Sequence, residues 1–221
     1  MARTDLHRDG EPEPASDVPA EVFAVFSREQ QQLAAAGLPA GVAPPGTTLP
    51  DTELQDVHGS VTSLGRVLGA GPAVVVLYRG VWCPYCNLAL STYQSALQPK
   101  LAERAIQLIA ISPQTPDNSL SMQEKQSLGF TVLSDPGNTL ARHLGVLTRP
   151  TEEARQAQLR LGLDLAAMNA DGTAGLPMPT TLAVDANRVV RWIDVHPDYS
   201  NRTEPGAILA ALDDLGWKIA Q

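Results

Sequence analysis

Cysteine is scarce in this chain: only Cys83 and Cys86 occur among 221 residues, three positions apart. A disulfide framework is thereby excluded, because a bridge between them closes a loop of two residues and gains little loop entropy. Zinc prefers four soft or imidazole ligands, and His7, His58, His143 and His196 do not complete a set at ligand spacing, so no metal or other cofactor is expected. Long apolar runs are also lacking. The longest, Ala73 to Leu77, falls far short of a membrane span. Met1 to Pro19 is charged and proline-rich without an apolar stretch, so cytoplasmic residence is the default expectation. Basic charge is in deficit as well: 16 Lys and Arg face 24 Asp and Glu, for a net charge of −8. No nucleic acid and no membrane is therefore expected as partner, since nothing neutralises phosphate.

What is present is a core-forming composition, 43% hydrophobic, in a length that suits one large domain with extensions. Residues 1–19 read as disordered. Val22, Phe23, Phe26 and Leu33 fall on one face of a helix predicted over 21–36 and ended by Gly37-Leu-Pro39. That helix suits packing on a sheet or a homodimer contact. Gly41 to Pro50 reads as an extended linker, which makes 1–43 an N-terminal extension and 44–221 the main domain. Strands are predicted at 53–57, 73–78, 106–111, 130–133, 180–184 and 189–195, the last two joined by an Asp185-Ala-Asn187 turn. Helices are predicted from Pro84 onward with a kink at Pro99, then at 117–128, 138–144 and 205–215. Alternating strands and helices closed by a hairpin and a helix imply an α/β fold with a mixed sheet. Residues 148–177, with a helix over 152–161, break that rhythm and read as an insertion before the final hairpin.

The chemistry concentrates in Cys83-Pro84-Tyr85-Cys86, directly after a strand buried on both faces. Pro84 suits the first position of a helix, which puts Cys83 at the N-cap, where unpaired N–H groups and the helix dipole stabilise a thiolate. A thiolate is the reactive form, and Cys86, one turn on, is placed to resolve a mixed disulfide. Trp82 shields the sulfur and offers an apolar surface, Arg79 adds positive charge, and Tyr85 shapes specificity. Downstream, Leu176-Pro-Met-Pro179-Thr180 precedes a strand, and a cis bond at Met178-Pro179 would present the Met178 backbone to a substrate beside the sulfurs. His143 reads as a partly buried structural histidine. His196 reads as a turn residue that could approach the site.

In order and spacing, several segments resemble the alkyl hydroperoxide reductase/thiol-specific antioxidant family, the peroxiredoxin-like branch of thioredoxin-fold proteins. They are Leu49-Pro-Asp51, His58-Gly59-Ser60-Val61, Val74 to Cys86, Leu108 to Ser112, Leu133 to Pro136, Leu144-Gly-Val146, Met178 to Asp185, and Asp198-Tyr199 with Glu204-Pro205. The resemblance implies a thioredoxin-like fold with a central mixed sheet, a hydroperoxide substrate and a thioredoxin-like reductant. It also implies a Pro-x-x-x-Thr-x-x-Cys site with an arginine from a later strand. Laid over this chain, that pattern puts Arg79 at the proline, Cys83 at the threonine, Cys86 at the peroxidatic cysteine and Pro179 at the arginine. Arg79 and Arg191 are the expected substitutes for the missing cation. The helix terminus thus favours Cys83 as nucleophile and the family register favours Cys86. A disulfide is the alternative substrate to a hydroperoxide, and in either case Cys83 and Cys86 cycle through a disulfide.

Overall fold

A computed structural model describes residues 18–218; the disorder read for 1–19 lies, apart from its last two residues, outside them. In chain order the elements begin with α1 (Ala20–Ala36), β1 (Glu53–Asp56), β2 (Val61–Ser63), α2 (Leu64–Leu68), β3 (Ala73–Leu77) and α3 (Pro84–Thr92). After a π-helical turn (Tyr93–Leu97) come α4 (Gln98–Ala102), β4 (Gln107–Ser112), α5 (Pro116–Lys125), β5 (Thr131–Ser134), α6 (Thr139–His143) and β6 (Leu147–Thr148). The chain closes with α7 (Glu152–Arg160), α8 (Leu165–Met168), β7 (Leu176–Pro177), β8 (Thr180–Val184), β9 (Val190–Val195) and α9 (Pro205–Asp214).

Seven strands form one mixed sheet in the order β2-β1-β5-β4-β3-β8-β9. β3 is parallel to β4 and antiparallel to β8, so it is central and all five of its residues are buried. Successive side chains of a strand point to opposite faces. Val75 and Leu77 accordingly join one core with Leu49, Ile109 and Val184. Val74 and Val76 join the other, with Leu90, Leu97 and Ile208 from the covering helices. A continuous β-branched run is what such a two-faced environment selects. The kink read at Pro99 is taken up by the π-helical turn just before it, where the Gln98 N–H reaches back to the Tyr93 carbonyl. A proline removes one helical donor, and a widened turn accommodates the loss.

Three expectations change. Phe23 is 54% exposed, because α1 packs on α7 of the insertion through the side that carries buried Val22 and Glu29. Residues 41–50 are extended, yet they are pinned to the sheet: Gly46 N–H donates to Val190 and Leu49 N–H to Arg188. His143 is exposed on α6 and contacts the Thr48 carbonyl at 3.1 Å.

β6 and β7 pair antiparallel as a two-stranded sheet of their own on either side of α7 and α8. Thr151 caps α7 by accepting the Ala154 N–H, while its own N–H donates to Glu29 of α1. α1, which precedes the sheet, is thus tied to the segment between β6 and β7.

Gly145 turns the chain after α6 at φ +70°, and a Cβ there would lie 2.1 Å from the Gly41 carbonyl oxygen. Backbone meets backbone at that point, so nothing flexible can yield. Gly145→Ala is expected to destabilise the fold by about 3 kcal/mol, combining left-handed strain with the clash. Urea unfolding would read it as a lower midpoint at unchanged slope.

Candidate active site

β3 delivers the chain to a tight turn, Arg79 to Trp82, from which α3 departs. Gly80 makes that turn possible: its φ is +157°, and a Cβ would sit 2.4 Å from Trp82 Nε1. The buried Gln114 side chain holds the turn from below, its Oε1 accepting the Val81 N–H at 2.7 Å. Asn87 Nδ2 closes it from α3 onto the Val81 carbonyl. Cys83 is the N-cap of α3 with Pro84 at its first position, as expected, and its carbonyl accepts the N–H groups of Cys86 and Asn87. Both cysteines are reduced and buried, Cys83 at 1% and Cys86 at 0% exposure.

The cation of the site comes from elsewhere. Half-buried Arg202 lies in the loop between β9 and α9. Its Nη1 donates to the carbonyls of Tyr199 (2.7 Å) and Asn201 (2.6 Å). Those bonds turn Nη2 onto both sulfurs, at 2.9 Å from Cys86 Sγ and 3.6 Å from Cys83 Sγ. The loop is held in turn by buried side chains. Tyr93 Oη donates to the Thr203 carbonyl at 2.6 Å, and the Thr203 hydroxyl donates to Asp194 Oδ2 at 2.9 Å. His196 contacts the same carboxylate oxygen at 3.0 Å. His196 thus joins Asp194 and Thr203 in the network that holds the loop.

Burial opposes ionisation of Cys86. Against it stand a hydrogen bond from the Cys83 thiol, the Arg202 guanidinium and the Arg79 backbone N–H, and together they hold Cys86 well below the ordinary thiol value of 9.0. Cys83 moves the other way: burial first, then its hydrogen bond to Cys86 and the charge there, push it well above that value. The two titrate as a pair sharing one proton. Cys83 carries the proton and Cys86 the charge, which inverts the preference drawn from the helix terminus alone. A dipole at an N-cap is worth a fraction of what a direct guanidinium contact supplies in a dry site.

The remaining predicted residues divide. The Arg79 guanidinium does not reach the sulfurs; it lies 3.9 Å from the Tyr199 ring centroid and 5.1 Å from that of Trp82. Arg191 is the extra residue of a bulge between β8 and β9, exposed and paired to Asp185, and does not take the role; the Arg79 charge acts on Cys83 without touching it, opposing the rise that burial imposes there. Tyr85 is half-buried beside the dithiol and packs on the same core. The Met178-Pro179 bond is trans, not cis. Around it the Met178 N–H donates to Val146, the Pro179 carbonyl accepts from His196, and the Thr180 hydroxyl donates to the Met178 carbonyl at 2.8 Å. The backbone there is committed to the fold and offers no free edge to a peptide. Among the described residues, no cluster of three or more His, Cys, Asp or Glu could hold a metal ion.

Arg202, Thr203 and Gln114 were not foreseen. Arg202 stands inside the Asp198-Tyr199…Glu204-Pro205 segment that carried the resemblance, and a basic residue there, in an acidic chain, was the available signal. Gln114 had none.

A sequence model of the AhpC/TSA family matches residues 45–193, two thirds of the chain and the whole Cys-x-x-Cys segment. The chain belongs to the AhpC/TSA family. Among curated relatives, the chloroplastic peroxiredoxin Q of Triticum aestivum is 27% identical over 128 residues, covering 58% of each chain. The thiol-disulfide oxidoreductase ResA of Bacillus thuringiensis subsp. konkukian is 29% identical over 107 residues, 48% of this chain and 60% of that one. The chain thus spans about 60% of the length of these curated relatives. The structure of reduced Prx3 with hydrogen peroxide from Vibrio vulnificus superposes with a TM-score of 0.63 at 18% identity, over 77% of this chain and 99% of that one. Peroxiredoxin neighbours of this kind fix the fold as thioredoxin-like. Among the described residues no helix is long and apolar enough to cross a membrane.

Arg202→Gln removes the charge and the contact with both sulfurs, so the Cys86 thiol is expected to rise. The ultraviolet absorbance of the thiolate, titrated in the reduced protein, would show the edge moving to higher pH. In Cys86→Ser the low-pH edge should vanish. Its survival there would assign the charge to Cys83.

Proposed function

We propose that this protein is a thiol-dependent peroxidase in which Cys86 attacks and Cys83 both protonates and resolves. One observation carries the reading: a single guanidinium nitrogen, Arg202 Nη2, touches a depressed Cys86 thiol and its protonated neighbour Cys83.

The Cys86 thiolate attacks the distal oxygen of a hydroperoxide, forming the S–O bond as the O–O bond breaks. Negative charge moves to the departing alkoxide oxygen, where the Cys83 S–H and the Arg202 N–H groups can meet it. Transfer of the Cys83 proton releases the alcohol and leaves Cys86 as sulfenic acid. Cys83, now a thiolate, attacks that sulfur; the S–S bond forms and hydroxide departs, taking a proton from solvent to become water. The sum is one hydroperoxide and two thiols giving alcohol, water and a Cys83–Cys86 disulfide. An external dithiol of the thioredoxin type returns the pair to its starting state by exchange. Cys83 stands in the register where the family pattern has threonine, so one thiol takes over the donor role of that hydroxyl and adds the resolving role.

Similarity to a thiol-disulfide oxidoreductase supports a second reading, reduction of disulfides. The trans Pro179 segment weighs against it for protein substrates, because its backbone donors and acceptors are already paired.

Stopped-flow oxidation decides between them. Wild type should consume hydrogen peroxide and organic hydroperoxides far faster than free cysteine, Cys86→Ser should not, and Cys83→Ser should accumulate sulfenic acid on Cys86. A wild type no faster than free cysteine, but active on insulin disulfides, would favour the second reading. The pH profile carries its own sign. With Cys86 depressed, its thiolate fraction stays near one as pH falls from about 9 to about 7, so the rate constant stays flat. A thiol at the ordinary 9.0 would lose about fiftyfold over that range.

A further inference from the structure

Gln114, just past the end of β4, is fully buried, and both ends of its amide are in use. Its Oε1 accepts the Val81 N–H at 2.7 Å, and its Nε2 donates to Ser112 Oγ at 3.2 Å. A buried amide must find a partner for each of its atoms, whereas an apolar side chain would fill the same space without that requirement. The polar choice points to what the oxygen holds, the turn over 79–82. Gly80 lies in that turn, and a residue without a Cβ adds no rigidity of its own. Stiffness has to come from outside, from Gln114 below and from Asn87 of α3.

The loop that carries Gln114 is itself clamped by the insertion. Asn169, the residue after α8, lies antiparallel against Gln114 in an isolated bridge. The Met168 carbonyl accepts the Thr115 N–H at 3.1 Å, and the Pro113 carbonyl accepts the Ala170 N–H at 2.9 Å. Backbone bonds thus hold the residues on both flanks of Gln114 while its side chain reaches the turn. Asn169 is 3% exposed, and its Nδ2 donates to the carbonyls of Thr173 and Gly175 at 2.8 and 2.9 Å. Those bonds fasten the clamp to the chain that enters β7.

We propose that Gln114 is a positioning residue for the attacking sulfur and that Met168, Asn169 and Ala170 form the clamp that keeps it in place. Through the Val81 N–H, Gln114 fixes the turn from which the Arg79 backbone N–H reaches Cys86 Sγ. A hydrogen bond to a charged sulfur is only as well aimed as the segment that carries its donor. Cys83, Arg202 and the Tyr78 phenol are the other groups that act on the same charge. The inference rests on Cys86 as the attacking sulfur, as read above, and on nothing about the substrate. It gives the insertion a part in the thiol chemistry, played through Gln114.

Gln114→Met keeps the length of the side chain and loses both amide contacts, and Asn169→Ala loosens the clamp from a distance. In the reduced protein, the ultraviolet absorbance edge of the Cys86 thiolate should move to higher pH in Gln114→Met and, less far, in Asn169→Ala. The double variant should shift no further than Gln114→Met, because the clamp acts through Gln114. Hydrogen exchange of the Val81 amide should quicken about fivefold or more in Gln114→Met, the scale of one hydrogen bond. If Gln114→Met does not fold, Gln114→Asn, whose amide is one methylene short of Val81, takes its place with the same expectations. A Cys86 edge that stays put in the Gln114 variant overturns the proposal and leaves the nucleophile standing, since Gln114 then only braces the fold. An Asn169→Ala shift that adds in full to that of the Gln114 variant also overturns it. An edge that survives in Cys86→Ser removes the assignment of the nucleophile first, and this proposal with it.

Discussion

The contact between Arg202 and the two sulfurs is the constraint on which the site depends. An isolated thiolate in an apolar core would reprotonate, because burial penalises the charged form. Here the guanidinium, the neighbouring thiol and a backbone N–H supply what water would have supplied. The contact also breaks a symmetry. Two cysteines three residues apart on one helix end differ little by position, but Nη2 lies 2.9 Å from one sulfur and 3.6 Å from the other. Once charge settles on Cys86, the proton on Cys83 is stabilised by hydrogen bonding to it, and the roles of attacker and resolver follow.

Much of the surrounding structure bears on the position of that arginine. Arg202 lies far along the chain from the cysteines and reaches them only because β8 and β9 bring the closing loop back over β3. The hydroxyls of Tyr93 and Thr203, the Asp194 carboxylate and two carbonyls fix the loop. The Tyr93 bond is buried and those of Thr203 and Tyr199 are partly so, where a network is worth more than its members in water and where losing one member is felt by the rest. The same loop presents the Tyr199 ring to Arg79. α1 and the start of α7 join it through Glu29, which accepts both the Thr151 N–H and the hydroxyl of the Tyr199 ring over Arg79.

Local signals in the chain carried the fold well. The run Ala73 to Leu77 identified a strand buried on both faces, Pro84 identified a helix start, and Asp185-Ala-Asn187 identified a hairpin whose Asp185 side chain accepts two turn N–H groups. What was not legible is what depends on tertiary contact. The apolar period of α1 does not show that Phe23 faces outward, because its packing partner, α7, is distant in the chain and no periodicity reveals its position. The cation was sought at Arg79, next to the motif, and at Arg191, on a later strand. A β-bulge turns Arg191 outward and two rings capture Arg79. The nucleophile was left undecided because a helix dipole is visible in a sequence and a guanidinium contact across the fold is not. The cis bond at Pro179 was inferred from a neighbouring motif, whereas the hydrogen bonds that decide its surroundings come from Val146 and His196.

The assignment of charge between the two sulfurs is open to direct measurement. Cysteine labelled with carbon-13 at Cβ reports thiol and thiolate by distinct shifts, one signal per residue, in the reduced wild-type protein without any reagent having to enter the buried site. Titrated across pH, the Cys86 signal is expected to show thiolate well below the ordinary thiol range while Cys83 stays protonated well above it. A Cys83 signal that ionises first, with Cys86 holding the proton, would contradict the account at its centre.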